Sequence, residues 1–499
     1  MNNPKKNFIY NIIYQILILI IPLITAPYLS RVIFSKGVGI YSYTYSIVNY
    51  FMLLTLLGVN NYGNRTIARV RDDKEKLSKT FWSIYSLQLI MGIIMIIIYI
   101  GYILLFDNKY KMIALIQSLF ILSAMLDINW LFFGLEEFKK TITRNTFVKI
   151  VNVILIFLLV KSKNDVWKYT IIMSGMTCLS QLILWGFTKE KIKFVKIKWK
   201  DITKHIKPNL ILFIPVIAVS LYKIMDKVML GFFSGVTEVG LYESAEKIIN
   251  IPLTIITSLG TVMLPRISNI ISKGNEELVK KYISKSISFV SFLSFAMFLG
   301  LFAISEKFAP IYFGSSFQKS GTIIKLLSVT LPFIAFANVI RTQYLIPKEK
   351  DHIFIISVSL GALVNLVCNL IFIPLYDSYG ACIGTIVAEV VVMMYQCISL
   401  RKSLPIKSYL HISFYYFFKA IIMFLLISII DIFDFNEILK ILLQVIIGVT
   451  IYFVLNYNYL SSIINLKKMF LKVFKNNVVI NDIDNDGNDD INIIIREKK

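Results

Sequence analysis

Three histidines and four cysteines are the whole supply of soft metal ligands in this 499-residue chain. His205, His352 and His411 are scattered, and Cys178, Cys368, Cys382 and Cys397 follow no metal-ligand spacing. The cysteines read as small apolar packing residues; no metal and no cofactor is expected. The sequence also lacks a G-x-S-x-G elbow, a glycine-rich phosphate loop of the Walker type and an H-E-x-x-H pair. Direct ATP hydrolysis by the chain is therefore not expected. Acidic residues are scarce, 30 against 53 Lys and Arg. Nowhere is there a polar stretch long enough to fold as a soluble catalytic domain, so the sequence reads as a non-enzyme.

What the chain has in abundance is apolar sequence. It is 57% hydrophobic, with a mean hydropathy of +0.70, well above soluble domains. Runs of about 20 apolar residues, each able to cross a bilayer, recur throughout. Fourteen are expected, near residues 8–29, 38–60, 81–105, 111–134, 146–160, 167–187, 209–233, 239–264, 286–305, 321–346, 353–373, 379–400, 410–431 and 438–456. The first has no small-residue cleavage site and is followed by further spans, so it reads as a retained helix. The expected fold is an all-α polytopic membrane protein.

A net charge of +23 would otherwise point to nucleic acid. Its distribution points to topology instead. Lys and Arg concentrate in the N-terminal segment, the alternate loops on the same side, and the tail. By the positive-inside rule both termini face the cytoplasm. The longest loop on the opposite side runs over about residues 306–320.

Several ionisable residues fall inside the spans, where each costs several kcal/mol unless it faces a partner or a water-filled cavity. In span seven, Ser220, Lys223 and Lys227 share a helical face. Asp226 is one step off it and can pair with Lys223 at i,i+3. Span eight carries Glu243, Glu246 and Lys247. In this span Glu243, Lys247, Asn250, Thr254, Thr257 and Thr261 form one polar stripe. Two lysines against one acid in span seven leave a cationic excess suited to phosphate or pyrophosphate. Arg341 offers a fork of donors for phosphate oxygens; Arg31 sits at the outer end of span one. Asp127 and Glu389 are further intramembrane acids, able to balance charge or couple to an ion. Asn365 and Asn369 read as packing polar groups, and Lys419 finds no evident partner in the sequence.

The chain repeats itself at one offset. Gly39-Ile40-Tyr41, Ile47, Asn49 and Arg65 return as Gly240-Leu241-Tyr242, Ile248, Asn250 and Arg266, always 201 residues later. Six spans separate the copies, so the two halves are expected to run parallel with a site between them. The expected units are 1–207 (six helices with a basic linker), 208–400 (six helices), 401–460 (two helices) and a cytoplasmic tail at 461–499. The linker, residues 188–207, interleaves Lys with Ile192, Phe194, Val195, Ile197 and Trp199, as an interfacial segment does. The tail contains Asp482-Ile483-Asp484-Asn485-Asp486-Gly487, the start of a calcium loop, but Ile493 stands where the bidentate Glu is needed. It reads as a solvated tail.

Several segments resemble the Wzx-type polysaccharide flippases. They are Ala26-Pro27-Tyr28-Leu29-Ser30-Arg31, Gly37-Val38-Gly39-Ile40-Tyr41-Ser42-Tyr43 and Asn60-Asn61-Tyr62-Gly63-Asn64-Arg65 in the first repeat. Asp127-Ile128-Asn129-Trp130-Leu131-Phe132-Phe133-Gly134 and Asp226-Lys227-Val228-Met229-Leu230-Gly231 follow. Ala245-Glu246-Lys247-Ile248-Ile249-Asn250-Ile251-Pro252 and Arg341-Thr342-Gln343-Tyr344-Leu345-Ile346-Pro347 complete the set. The resemblance spans about residues 8–400. It implies the multidrug/oligosaccharidyl-lipid/polysaccharide exporter fold, with two six-helix lobes around a central cavity and two extra helices. It implies transfer of polyprenyl-pyrophosphate-linked oligosaccharide units across the cytoplasmic membrane, with polysaccharide polymerase and glycosyltransferases as possible partners. On that reading Lys223, Lys227, Lys247, Arg341 and Arg31 would contact the head group. Asp226, Glu243, Glu246, Asp127 and Glu389 would balance charge or couple to an ion. A cation-coupled drug antiporter of the same fold is the alternative, and a membrane enzyme is disfavoured by the short loops.

Overall fold

The computed structural model describes residues 20–106, 109–189 and 191–461. The side chains of Ile214, Pro215, Ala218, Val219, Leu221, Tyr222 and Lys223 lie outside the described residues, as do most of the first span and the acidic tail. Among the described residues there is no strand. Helices follow one another with short turns, as bilayer crossing demands when every backbone N–H and C=O must be satisfied internally.

The first group comprises α1 (Ile20–Val32), α2 (Phe34–Leu56), α3 (Val59–Val70), α4 (Lys74–Phe106), α5 (Lys111–Met125), α6 (Asn129–Gly134), α7 (Phe138–Leu159) and α8 (Val166–Trp185). A linker with the short α9 (Trp199–Thr203) leads to α10 (Ile206–Phe233), α11 (Val236–Ser272), α12 (Glu276–Phe313), α13 (Gln318–Ser328), α14 (Thr330–Ile340), α15 (Asp351–Tyr376) and α16 (Ser378–Leu400). Helices α17 (Ile406–Ser428) and α18 (Glu437–Leu455) close the described chain. Among the described residues, ten of the helical stretches are long and apolar enough to cross a membrane, eleven if the bent pair Ser315–Ser328 and Thr330–Leu345 counts as one span. The remaining expected spans coincide with α1, α8 and α10.

The expected segmentation differs from the structure where helices break or overrun. Span two is one stretch, Phe34–Val70, bent where Leu57 takes a positive φ of 46° and Gly58 lets the chain press on α10. A Cβ at Gly58 would stand 2.4 Å from the Asn209 carbonyl oxygen. Span four divides into α5 and α6 around Leu126–Ile128. Span five begins earlier, at Phe138. The loop expected over 306–320 is almost wholly helical: α12 runs to Phe313, and helical structure resumes at Ser315. Span ten is bent by 40° and ends in a π-helical turn, Arg341–Leu345.

Packing within each group runs through a few helix pairs. In the first, α2 packs on α4 and α5, α5 on α8, and α7 on α8; in the second, α15 pairs with α16 and α10, and α12 with α13 and α14. Helices α17 and α18 lie against α12, joined by Tyr452 donating to the Phe292 carbonyl at 2.9 Å. Their outer faces expose Phe414, Phe418, Leu425, Leu442, Ile446 and Val454, an apolar surface suited to lipid. Lys419 has a partner that sequence could not reveal. Its ammonium donates to the Leu455 carbonyl at 2.6 Å, capping α18, and lies 4.2 Å from the Tyr415 ring centroid.

The groups meet mainly through α2 against α11 and α10. At that crossing a Cβ on Gly39 would fall 1.7 Å from the Val236 carbonyl oxygen, and one on Gly240 would fall 1.9 Å from that of Ser35. Only residues without a side chain allow backbones this close. Ser35 and Val236, like Gly39 and Gly240, are separated by the repeat offset. A polar clasp adjoins the crossing. Ser30 donates to the Phe313 carbonyl at 2.7 Å, Arg31 to that of Ile311 at 2.7 Å, and Tyr312 to that of Leu23.

Candidate functional site

Helices α10 and α11 form an antiparallel hairpin, turned at Ser234 and Gly235, the latter at φ 92°. The hairpin brings the charges of spans seven and eight together. The Lys227 ammonium lies 2.9 Å from Glu243 Oε2 and 2.9 Å from Glu246 Oε2, while Lys247 reaches Glu243 Oε1 at 3.5 Å. Residues 243, 246 and 247 share one face of α11, which is why a single lysine can bridge both glutamates. All four side chains keep partial contact with solvent, Lys247 the most at 31%. The described cluster is two cations against two anions. The cationic excess read from span seven alone is offset here by the glutamates of span eight. The expected pairing of Lys223 with Asp226 lies outside the described residues.

Asp226 faces away from this cluster, because adjacent helix positions are turned by about 100°. It is 4% exposed and accepts from three neutral donors on three helices. These are Asn369 Nδ2 at 2.6 Å, Thr385 Oγ1 at 2.7 Å and Tyr242 Oη at 3.0 Å. Asn365 Oδ1 in turn accepts from Asn369 Nδ2 at 3.1 Å. Gly384 leaves room for this arrangement, since a Cβ there would meet Asn369 Oδ1 at 2.3 Å. No Lys or Arg among the described side chains forms an ion pair with Asp226. A buried carboxylate held by one amide N–H and two hydroxyl donors, with no paired cation among the described side chains, is an ionisable group set apart from the charged cluster. The asparagines read in the sequence as packing groups are thus partners of an ionisable residue. No group of three or more His, Cys, Asp or Glu residues that could hold a metal exists among the described residues.

The other candidates are not brought into this cluster. Arg31 is an inter-group clasp, donating to the Pro27 and Ile311 carbonyls at 3.2 and 2.7 Å. Arg341 stacks on Phe354 of α15, 4.2 Å from its ring centroid, at the start of the π-helical turn. Glu389 is buried in α16. Asp127 sits in the break between α5 and α6. There its Oδ1 accepts from the Asn129 backbone at 2.8 Å and side chain at 2.6 Å. Asn129 Oδ1 then accepts from Arg144 at 2.9 Å, and Arg144 also donates to Gln181 and to the Ser180 carbonyl. Arg144, 5% exposed, escaped the sequence reading. Its only sequence signal was a position within the basic cluster Lys139–Arg144 between two spans.

Two further features lie outside the cluster. One is an apolar groove of about 420 Å³ between α11, α12, α17 and α18, with Ile251, Ile255, Phe292, Leu301, Met423 and Tyr452 in its wall. The other is the linker, which runs extended along the start of α4. Lys193 receives a bond from Trp82 Nε1 at 3.0 Å and donates its own N–H to Ser78. The linker ends at His205, whose Nδ1 lies 2.7 Å from the Tyr62 hydroxyl. Burial pushes the His205 imidazole down to about 4, with Lys204 acting in the same direction.

The chain matches the family model described as polysaccharide biosynthesis protein over residues 5–271, and the MatE model over residues 212–371. It is 25% identical over 398 residues to a "Putative O-antigen transporter" of Shigella dysenteriae, covering 78% of this chain and 98% of that one. A protein of the same description from Escherichia coli (strain K12) is 24% identical over 412 residues, covering 81% and 99%. The fold is similar to that of the lipid II flippase MurJ in an inward closed conformation. The TM-score is 0.77 at 17% identity, and the match covers 92% of this chain and 100% of that structure. The resemblance seen in the sequence motifs agrees with these matches. The chain is a multi-pass, all-helical membrane protein and belongs to the polysaccharide biosynthesis protein family.

Proposed function

We propose that the protein is a flippase that moves polyprenyl-pyrophosphate-linked oligosaccharide across the cytoplasmic membrane by alternating access, for cell-surface polysaccharide synthesis. The observation that carries this reading is the partly solvated Lys227/Glu243/Glu246/Lys247 cluster inside a membrane bundle. Ionisable groups at that depth mark a pathway for polar cargo. The glutamates hold the lysines in ion pairs. A pyrophosphate competes for the same ammonium groups, and Lys247, the more loosely held, is the first available to it. The groove between α11, α12, α17 and α18 has the apolar character a polyprenyl chain requires. Asp226, with Tyr242, Asn369 and Thr385, is the coupling group on this reading, taking up a proton or cation as the lobes rock.

The lobes are residues 1–207 and 208–400, with 401–460 as the accessory helix pair and 461–499 as a tail. Both termini are cytoplasmic by the basic-loop bias. Polysaccharide polymerase and glycosyltransferases are the proposed partners. The chain acts as a transporter without catalysis of its own.

In proteoliposomes carrying a fluorescent polyprenyl-pyrophosphate-linked oligosaccharide, Lys227→Ala/Lys247→Ala should lower the flipping rate at least tenfold. A normal rate would remove these lysines from the head-group site. The second reading, a cation-coupled multidrug antiporter, is favoured by the MatE match and by the buried Asp226. It requires that deletion of the gene sensitise cells to cationic drugs.

A further inference from the structure

The charged wall of α10 and α11 faces an uncharged one. Tyr41, Tyr45 and Asn49 step by four along α2 and so share a face. The rings of Tyr41 and Tyr45 are stacked, with centroids 5.7 Å apart and planes within 6°. Tyr169 of α8 tilts against Tyr41 at 4.6 Å, and Phe120 props Tyr45 edge-on at 5.0 Å. Tyr41 and Tyr45 are half-buried rather than sealed.

The repeat fixes what this wall confronts. Gly39 lies against Val236 and Gly240 against Ser35, two contacts related by the same 201-residue exchange. An approximate two-fold axis therefore passes between the two glycines. Positions 201 apart sit at equal depth on opposite walls: Tyr45 opposite Glu246, Asn49 opposite Asn250, and Ser42 opposite Glu243. Side-chain contacts agree. Tyr41 and Tyr169 line one small cavity together with Ser244 and Lys247. Packing of the first group accounts for aromatic bulk at these positions, but a leucine would pack as well. It does not account for phenols set beside the facing lobe's Lys247.

A head group with both phosphate and sugar presents two chemistries. Phosphate needs cations. A pyranose offers C–H faces, which favour the electron-rich face of an aromatic ring, and hydroxyls, which favour neutral donors and acceptors. We infer that Tyr41 and Tyr45, backed by the buried Tyr169, form the saccharide-contacting wall of the cavity, so that the two lobes divide the head group between them. The first takes sugar rings by stacking and the second takes the pyrophosphate. This inference rests on the flippase reading above.

The test measures binding to the full-length protein in nanodiscs with three probes. They are undecaprenol, undecaprenyl pyrophosphate, and undecaprenyl pyrophosphate bearing a hexosamine-initiated trisaccharide. The wild type should bind the glycosylated probe more tightly than the bare pyrophosphate. Tyr41→Leu/Tyr45→Leu should lose roughly two- to tenfold of that preference while keeping its affinity for the bare pyrophosphate, which also reports that it is folded. Tyr41→Phe/Tyr45→Phe, which retains the stack, should keep most of the preference. A leucine variant with the full preference, or a wild type with none, overturns the inference and leaves the flippase reading standing. A wild type that binds undecaprenyl pyrophosphate no better than undecaprenol overturns both.

Discussion

Replacing Gly240 by alanine puts a Cβ 1.9 Å from the Ser35 carbonyl oxygen, and the same change at Gly39 puts one 1.7 Å from that of Val236. Both obstructing atoms are backbone, so no rotamer change relieves the clash; α2 and α11 must separate by more than an ångström. Overpacking of this kind costs about 1–3 kcal/mol, and the cost falls on the conformation in which the two helices cross here. A conformation in which the lobes part at this end does not bear it. The population ratio should therefore move by roughly 5- to 150-fold toward that parted state. Spin labels at Lys163→Cys and Ser316→Cys, in a background with the native cysteines replaced by alanine, report the opening of this end by electron–electron dipolar spectroscopy. Gly240→Ala should transfer most of the distance distribution to a longer component, with Gly39→Ala/Gly240→Ala moving it further. Transport should slow, because one of the two alternating states is disfavoured. An unchanged distribution in the double variant would refute the idea that these glycines seat the closed end.

Other consequences follow from the same geometry. Lys227→Met strips two adjacent glutamates of their shared cation and should destabilise the protein by about 3 kcal/mol. Adding Glu243→Gln and Glu246→Gln should recover most of the lost melting temperature in detergent. Asp226→Asn keeps a similar shape but removes the charge, so transport should become insensitive to an imposed cation or proton gradient; a retained dependence would remove Asp226 from coupling. Asn129→Ala leaves Asp127 and Arg144 without their bridge and should cost about 1–3 kcal/mol, read as a lower melting temperature. His205 is held neutral by burial, its pKa down at about 4 against an ordinary 6.5. The unfolded chain therefore takes up a proton there first as pH falls, and stability should drop between pH 6.5 and about 4. The drop should flatten in His205→Gln.

Much of the architecture follows from local sequence. A run of about 20 apolar residues has one stable solution in a bilayer, so helix positions were legible from hydropathy alone. The polar stripe of α11 was legible for the same reason: its period is a property of the helix, and Glu243, Glu246 and Lys247 had to share a face wherever that helix went. The 201-residue spacing of Gly39 and Gly240 was likewise visible as part of the repeat.

Tertiary structure decided who meets whom. Span seven alone read as a cationic excess. The α10–α11 hairpin gives Lys227 two glutamates, because ion pairing depends on distances between helices that no periodicity encodes. Asp226 read as a partner of nearby Lys223, yet its described bonds come from residues 16, 143 and 159 positions away. Arg31 donates to a carbonyl of α12 that is 280 positions away. Arg144, a basic residue like its loop neighbours, gained a buried network through Asn129. The sequence by itself determined a polytopic helical membrane protein with charge in its interior. Only the fold decided that Lys227, Glu243, Glu246 and Lys247 pair with one another, and that Asp226 accepts from neutral donors on three helices. Burial and partnership are relations between helices, whereas span and stripe are properties of one.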